Sequence, residues 1–400
     1  MDNPLSASPA APSPLPQLDV EGAVLDRYAH GALATEAALC SPVDYDARYL
    51  EALPDEILER DYGCGDPTRF VRPGETVLDL GSGGGKICYI MAQIVGPSGR
   101  VIGVDFNDTM LALSRKYLDE MGLRLGFSNV EFRKGKIQDL ALDCEKLDEY
   151  LAAQPIRHSS DLMRVRRFEE ELRTRSPLIP DQSVDLIVSN CVLNLVRPDD
   201  RSLLFRELNR VLKMGGRVAI SDIVSDEPVP EPLKQDAELW SGCVSGAFQE
   251  EEFLHAFESA GFHGMTLESW SAKPYRTVEG IEFRSITLTA HKGKEGPCLE
   301  RHQAVIYRGP YRSVTDDDHH TFPRGVRVAV CEKTFRLLQN GPYRKDLIFI
   351  EPRAVDSALE TLPFDCSRIT PRHPRESKGL DYRATTPAEG NCCEPSSGCC

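Results

Sequence analysis

Nine residues, Val77-Leu78-Asp79-Leu80-Gly81-Ser82-Gly83-Gly84-Gly85, constrain this chain more than any other stretch. A short apolar run, Thr76–Leu80, enters a glycine-rich turn, and a helical pattern over Lys86–Ile94 leaves it. Glycine lets a backbone turn sharply and lets a ligand come close to it. The same rhythm then repeats. Val101–Val104, Val130–Lys134, Val184–Ser189 and Arg217–Asp222 read as strands, while Thr109–Met121 and Arg201–Leu212 read as helices. Alternation of this kind predicts an α/β fold, a parallel sheet with helices on both faces.

The rest of the 400 residues is organised around that core. Residues 1–18 are rich in Pro, Ala and Ser and read as disordered. Residues 19–72 read as an N-terminal helical segment, with Gly63, Gly65 and Pro67 marking a loop near its end. The α/β domain spans 73–270. Residues 140–180 interrupt it with an insertion of charged, helical-looking sequence (Glu145–Ala153, Ser160–Arg175). A helix over 250–262 ends at Gly261. Residues 271–355 read as a small α+β domain, with strand-like runs at Ser285–Ala290, Ala304–Tyr307, Val326–Cys331 and Leu347–Ile350. Residues 356–400 form a polar, Pro-containing tail that ends in Cys392-Cys393 and Cys399-Cys400.

Charge and cysteine content narrow the partners. A net charge of −15 argues against nucleic acid, which needs clustered Lys and Arg, and against an anionic membrane surface. No apolar run reaches the roughly 18 residues of a membrane span, and the N-terminus lacks the basic start and apolar centre of a secretory signal, so a cytoplasmic protein is expected. Thirteen cysteines in a reducing compartment point to soft-metal binding or redox chemistry rather than a disulfide scaffold.

The glycine spacing indicates the cofactor. Gly81, Gly83 and Gly85 give G-x-G-x-G, not the dinucleotide pattern G-x-G-x-x-G. Asp105 closes the second strand about 20 residues on, where a carboxylate accepts hydrogen bonds from ribose hydroxyls. Asp79, two positions before the first glycine, is placed to meet an amino-acid end. These features favour S-adenosylmethionine, and residues 70–225 resemble the class I, Rossmann-like methyltransferases. The resemblance implies cofactor contacts at Asp79, Gly81, Gly83, Asp105 and Phe106, and around Ile137 and Asn190. Tyr62 is a candidate cover for the cofactor's methionine end.

Four cysteines fall where loops would meet that site: Cys40, Cys64, Cys191 and Cys243. Cys191 directly follows the fourth strand, and ligands of open α/β sheets bind outside the strands' carboxyl ends, so position alone turns it toward the methyl group. The segments Asp61–Asp66, Ser189–Leu195 and Gly242–Ala247 resemble the arsenite methyltransferase family, which carries cysteines at these four places. The likeness runs over about residues 20–350 and includes Tyr307-Arg308-Gly309, His320, Phe322, Gly325 and Val330-Cys331. It implies that Cys191 and Cys243 hold arsenic, while Cys64 and Cys40 supply a third thiolate or reducing equivalents. The implied substrate is arsenite or its thiol complexes, and the implied reductant is thioredoxin or glutathione. Thiolate is the soft ligand that trivalent arsenic prefers. Helix N-termini or cations near the thiols are expected to favour ionisation.

Other features leave alternatives open. Cys88 and Cys331 fall on apolar patterns and read as core, whereas Cys144 and Cys298 suggest no role. The tail cysteine pairs are either a soft-metal relay or incidental. Asp316–Asp318 with His319 and His320 is either a hard-metal site or a solvated loop. Trp240 either walls a pocket or fills the core. Two rival functions remain: methyl transfer to a carbon, oxygen or nitrogen acceptor, which normally needs a general base, and soft-metal binding that does not need S-adenosylmethionine.

Overall fold

The computed structural model describes residues 19–36, 43–60, 62–293, 295–353, 362–367 and 370–384. Expectations for residues 1–18, Cys40 and the four tail cysteines lie outside the described residues. The chain divides into two compact units, Met1–Gly293 and Lys294–Cys400.

The first unit is built on a nine-stranded sheet among the described residues. Its strands are β1 (Thr76–Leu80), β2 (Arg100–Asp105), β3 (Val130–Lys134), β4 (Val184–Asn190), β5 (Leu212–Ser225), β6 (Phe248–Gln249), β7 (Phe262–Trp270), β8 (Arg276–Val278) and β9 (Ile281–Lys292). The order β3-β2-β1-β4-β5 is parallel throughout. Strands β9 and β7 then add antiparallel, with β6 on β5 and β8 on β9. Val77, Leu78 and Leu80 of β1 and Leu186, Ile187 and Val188 of β4 are all 0 % exposed, which requires cover on both faces of the sheet. Each such side chain contributes about 1.5–3 kcal/mol by leaving water.

Helices α1 (Val20–Leu33), α2 (Ala47–Leu50) and α3 (Asp55–Glu59) precede the sheet. Helices α4 (Lys86–Val95), α5 (Asp108–Lys116), α6 (Leu118–Leu125), α7 (Cys144–Ala153), α8 (Ser159–Arg175) and α9 (Arg201–Val211) connect its parallel strands. Between β5 and β7 lie α10 (Glu231–Lys234), α11 (Ala237–Ser241) and α12 (Glu250–Ser259). In the 140–180 insertion, α7 and α8 meet through stacked Tyr150 and Phe168 rings with centroids 4.0 Å apart.

Two expectations need correction. Thr109–Met121 is not one helix: the chain breaks at Tyr117 (φ −103°, ψ 4°), and its amphipathic pattern continues in α6 in a new direction. Ser285–Ala290 does not belong to a separate small domain. It is the middle of β9, which pairs with β5 from Arg217↔His291 to Ser225↔Phe283. An apolar run reveals a strand, but its partner lies about 70 residues back and leaves no local mark.

The second unit holds a three-stranded antiparallel sheet ordered β13-β10-β14, from β10 (Ala304–Tyr307), β13 (Arg327–Ala329) and β14 (Leu347–Ile350). Strands β11 (Ser313–Thr315) and β12 (Thr321–Pro323) form a hairpin. Its turn is closed by Asp316, whose carboxylate accepts the Asp318 and His320 amides at 3.0 and 2.8 Å and lies 2.9 Å from His320 Nδ1. Helix α13 (Glu332–Asn340) buries Phe335 and Leu338 among Val305, Val328 and Leu347, and α14 (Pro374–Lys378) lies near the end of the described residues.

Candidate active site

Strand order reverses at β1, with β2 on one side and β4 on the other, and the principal cleft of the first unit opens at the carboxyl ends of these strands. All eight residues expected at a cofactor line it: Tyr62, Asp79, Gly81, Gly83, Asp105, Phe106, Ile137 and Asn190. Gly81 has φ +67°, and a Cβ there would stand 2.5 Å from Val192 Cγ1, so only glycine fits. Asp105 Oδ2 accepts the Gly83 amide and Oδ1 the Asn107 amide, both at 2.8 Å. Burial raises the Asp105 carboxyl above its ordinary value, and those amides pull partly against the rise. Asp79 is 2 % exposed and accepts from the Cys88 thiol at 3.2 Å. A buried and a half-buried carboxylate, a bare glycine backbone and apolar walls at Phe106 and Ile137 fit the ribose, amino-acid and base parts of S-adenosylmethionine.

Helix α1 flanks the cleft and supplies Glu21, Val24, Leu25 and Tyr28 to its lining. It is tied down by Lys136 Nζ to Glu21 Oε2 at 2.7 Å and by Asn107 Nδ2, which donates to Leu25 O at 2.9 Å. The Lys136 ammonium also sits 5.0 Å from the Phe106 ring centroid. The Tyr62 hydroxyl is spent on the end of this helix. It donates to Gly31 O at 2.9 Å and accepts the Glu36 amide at 3.0 Å, which leaves the ring to face the cleft.

Three of the four predicted cysteines come together; Cys40 lies outside the described residues. The Cys191 thiol is in the middle, hydrogen-bonded to both Cys64 and Cys243. Cys243 Sγ also donates to Cys191 O at 3.0 Å. A small pocket is bounded by Tyr28, Tyr62, Gly63, Cys191, Cys243 and Tyr275, among others. Cys191 lines this cavity and the cofactor cleft as well.

Local structure explains why the sulfurs converge. Asn190, at the end of β4, clamps the loop that carries Cys64. Its Oδ1 accepts the Cys64 and Gly65 amides at 2.8 and 3.2 Å, and its Nδ2 donates to Gly65 O at 2.7 Å. Asn190 therefore lines this cleft while its amide serves the loop that carries Cys64. Gly63 permits this approach, because a Cβ there would stand 2.3 Å from Asn190 Nδ2. Cys191 and Cys243 have φ of 59° and 60°, a left-handed backbone that costs a non-glycine residue about 1–3 kcal/mol and is tolerated where the surroundings enforce it. The enforcing group is Asp222, 0 % exposed, which accepts from Leu193 N at 2.9 Å, Asn194 Nδ2 at 2.8 Å and Ile223 N at 2.8 Å. Burial lifts the Asp222 carboxyl to about 7 despite those donors.

The thiols are not poised for ionisation as expected. Burial raises Cys64, and raises Cys191 well above the ordinary thiol value, with its bonds to Cys243 and Cys64 adding to the rise. No helix N-terminus or cation offsets this among the causes that act on Cys191. Sequence reasoning also missed Tyr28, whose hydroxyl hydrogen-bonds Cys243 and is itself raised, by burial first and then by Cys243 and Cys191. It missed Asp222 and Asn194 too; a carboxylate inside an otherwise uncharged run, residues 218–225, was the available signal at Asp222. Trp240 is 2 % exposed and packs close to Gly246, as a core residue does.

Comparison with known proteins agrees with this geometry. A methyltransferase-domain family matches residues 72–167 and 162–261, and a domain family of unknown function matches 294–382. The arsenite methyltransferase of Aquipseudomonas alcaligenes is 35 % identical, covering 75 % of this chain and 80 % of the relative. The human arsenite methyltransferase is 30 % identical, covering 88 % of each. The crystal structure of CrArsM, an arsenic(III) S-adenosylmethionine methyltransferase from Chlamydomonas reinhardtii, superposes with a TM-score of 0.52 at 25 % identity, covering 81 % of this chain and 100 % of the other.

Proposed function

The chain belongs to the arsenite methyltransferase family, and on that premise we propose that Cys64, Cys191 and Cys243 are the sulfurs that hold trivalent arsenic while it is methylated. The protein transfers methyl groups from S-adenosylmethionine to trivalent arsenic. What supports the assignment of sulfurs is Cys191, which borders the thiol cavity on one side and the cofactor cleft on the other.

The raised thiols suit capture of neutral arsenite. Three As–O bonds give way to three As–S bonds, and each thiol proton leaves with a hydroxyl as water. Binding therefore releases no net proton, and the thiols have no need to be anions at rest. Three sulfurs fill the bonds of arsenic and leave it one lone pair, which Cys191 turns toward the cleft. S-adenosylmethionine supplies the electrophilic methyl group there. Asp79, Asp105, Gly81 and Gly83, which line the cleft, would hold it, with Phe106, Ile137 and Tyr62 as walls. No general base is needed, because arsenic has no proton to lose; positioning and exclusion of water carry the rate. Methylation takes two electrons from arsenic. Two thiols return them by closing a disulfide, Cys40 being available as one partner, and thioredoxin or glutathione reopens it. A reductant of that kind belongs to the cytoplasm, and no helix among the described residues is long and apolar enough to cross a membrane.

The test is methyl transfer from labelled S-adenosylmethionine to arsenite with excess thiol, with arsenic species separated by chromatography. Cys191→Ser and Cys243→Ser should each lower labelled methylarsenicals by about 10²-fold or more while cofactor binding stays intact. Full activity in either variant contradicts the assignment.

A further inference from the structure

Three more thiols meet in the second unit. Cys298, Cys331 and Cys366 have all three sulfurs within 4.8 Å of one another, and each is a free cysteine. The backbone brings them together. Phe364 N donates to Cys298 O at 2.9 Å, Glu300 N to Leu362 O at 2.9 Å and Glu332 N to Leu299 O at 2.9 Å, so the segment 298–300 is laced to the other two segments. Cys331 caps α13, its sulfur accepting the Thr334 amide at 3.4 Å. Sequence reading gave Cys331 a core role and Cys298 none; Cys331 is indeed buried, at 0 % exposure, and is also one corner of a triangle of donors.

We propose that Cys298, Cys331 and Cys366 form a second thiol site that binds trivalent arsenic through three sulfurs. The donor set selects the ion. Thiolates favour soft, thiophilic ions over magnesium or calcium. A structural zinc site takes four protein ligands, and among the described residues no fourth Cys, His, Asp or Glu joins this group. Trivalent arsenic is satisfied by three sulfurs, and three thiolates on it make a neutral unit suited to a half-buried place. Binding is balanced: arsenite loses three hydroxyls, the three thiols lose their protons, three waters leave, and no electrons are exchanged. The bound ion would cross-link three distant stretches of the unit without taking part in methyl transfer. This proposal takes from the preceding section only that the protein meets trivalent arsenic.

The experiment uses the full chain with Cys40, Cys64, Cys191, Cys243 and the four tail cysteines changed to serine, kept reduced, and titrated in separate arms with arsenite and with zinc. One arsenite should bind per chain, and arsenic-edge X-ray absorption should show three sulfur neighbours and no oxygen. Adding Cys366→Ser or Cys331→Ser should weaken binding at least tenfold and leave two sulfurs. Cys331→Ser guards against misfolding, since serine is a favoured helix cap and keeps α13 started. No arsenite bound, binding unchanged by both added substitutions, or zinc bound while arsenite is refused would each overturn the proposal. Loss of this equivalent with wild-type methylation intact faults this site alone; retention of it in a wild type that makes no methylarsenicals faults the preceding reading alone.

Discussion

The two thiol trios use the same three functional groups in opposite ways. In the second unit the sulfurs are mutually within 4.8 Å and are held by backbone pairing and a helix end. In the first unit they are strung through Cys191 without that closure, on two left-handed residues and over a buried carboxylate. Donors already in place bind without reorganising. Donors that serve a reaction must also let the product go, and an open chain of sulfurs with one member on a cofactor cleft does so. Their acidities diverge at one member, Cys298, whereas burial and its two neighbours push the Cys366 thiol up, as burial does Cys191. Burial raises Cys191 far above an ordinary thiol. Burial acts the same way on Cys298, but hydrogen bonds from Cys366 and Cys331 and the Lys333 ammonium outweigh it and bring that thiol below the ordinary value. What distinguishes the trios is the scaffold beneath the sulfur, not the sulfur.

The comparison is broken most severely at Asp222. Its folded value of about 7 lies above the ordinary 3.8, so its contribution to stability is complete below 3.8 and is lost as pH rises through about 7. The gap is worth at most about 4 kcal/mol. Urea unfolding at pH 5 and pH 8 should show Asp222→Asn with a flatter pH dependence than wild type. Equal slopes would mean that Asp222 is not raised above its ordinary value in the folded protein.

Gly63→Ala comes next. A Cβ 2.3 Å from the Asn190 amide must push the Cys64 loop away, and a misplacement of about 1 Å costs roughly 10²-fold in rate. Methylarsenical formation should fall by that order while S-adenosylmethionine binding, measured calorimetrically, is kept. An unimpaired variant would show that the close approach of this loop is unnecessary.

The smallest effect sharpens the contrast in acidity. At pH 8, iodoacetamide should label Cys298 about tenfold faster than Cys191, because reactivity follows the thiolate fraction. Peptide mass spectrometry over time reads the order, and labelling of Cys191 first would reverse the electrostatic part of the comparison.

The parts of this architecture that were legible in the sequence are those with local causes. The β1 run, the glycine turn and Asp105 sit within one strand–turn–helix–strand stretch, and each signals locally. The cysteines of the first trio were found through a resemblance in short segments around them; nothing in their spacing says that Cys64 and Cys243 both reach Cys191. What stayed hidden depends on long-range pairing. Tyr28 sits on a helix whose pattern shows an apolar face but not the cleft that face meets. Asn190 lines the cofactor cleft, yet its amide is used 126 residues away at Cys64. Cys298, Cys331 and Cys366 come from three segments joined by long-range bonds that no periodicity records.

The most direct test of the account is where arsenic sits beside the cofactor. A crystal of the full chain grown with arsenite and S-adenosylhomocysteine, with data collected at the arsenic edge, locates it without ambiguity. The account predicts an anomalous peak bonded to the sulfurs of Cys64, Cys191 and Cys243, with its open side toward the cleft between β1 and β4. A cleft filled by S-adenosylhomocysteine with no arsenic on Cys191 would contradict it.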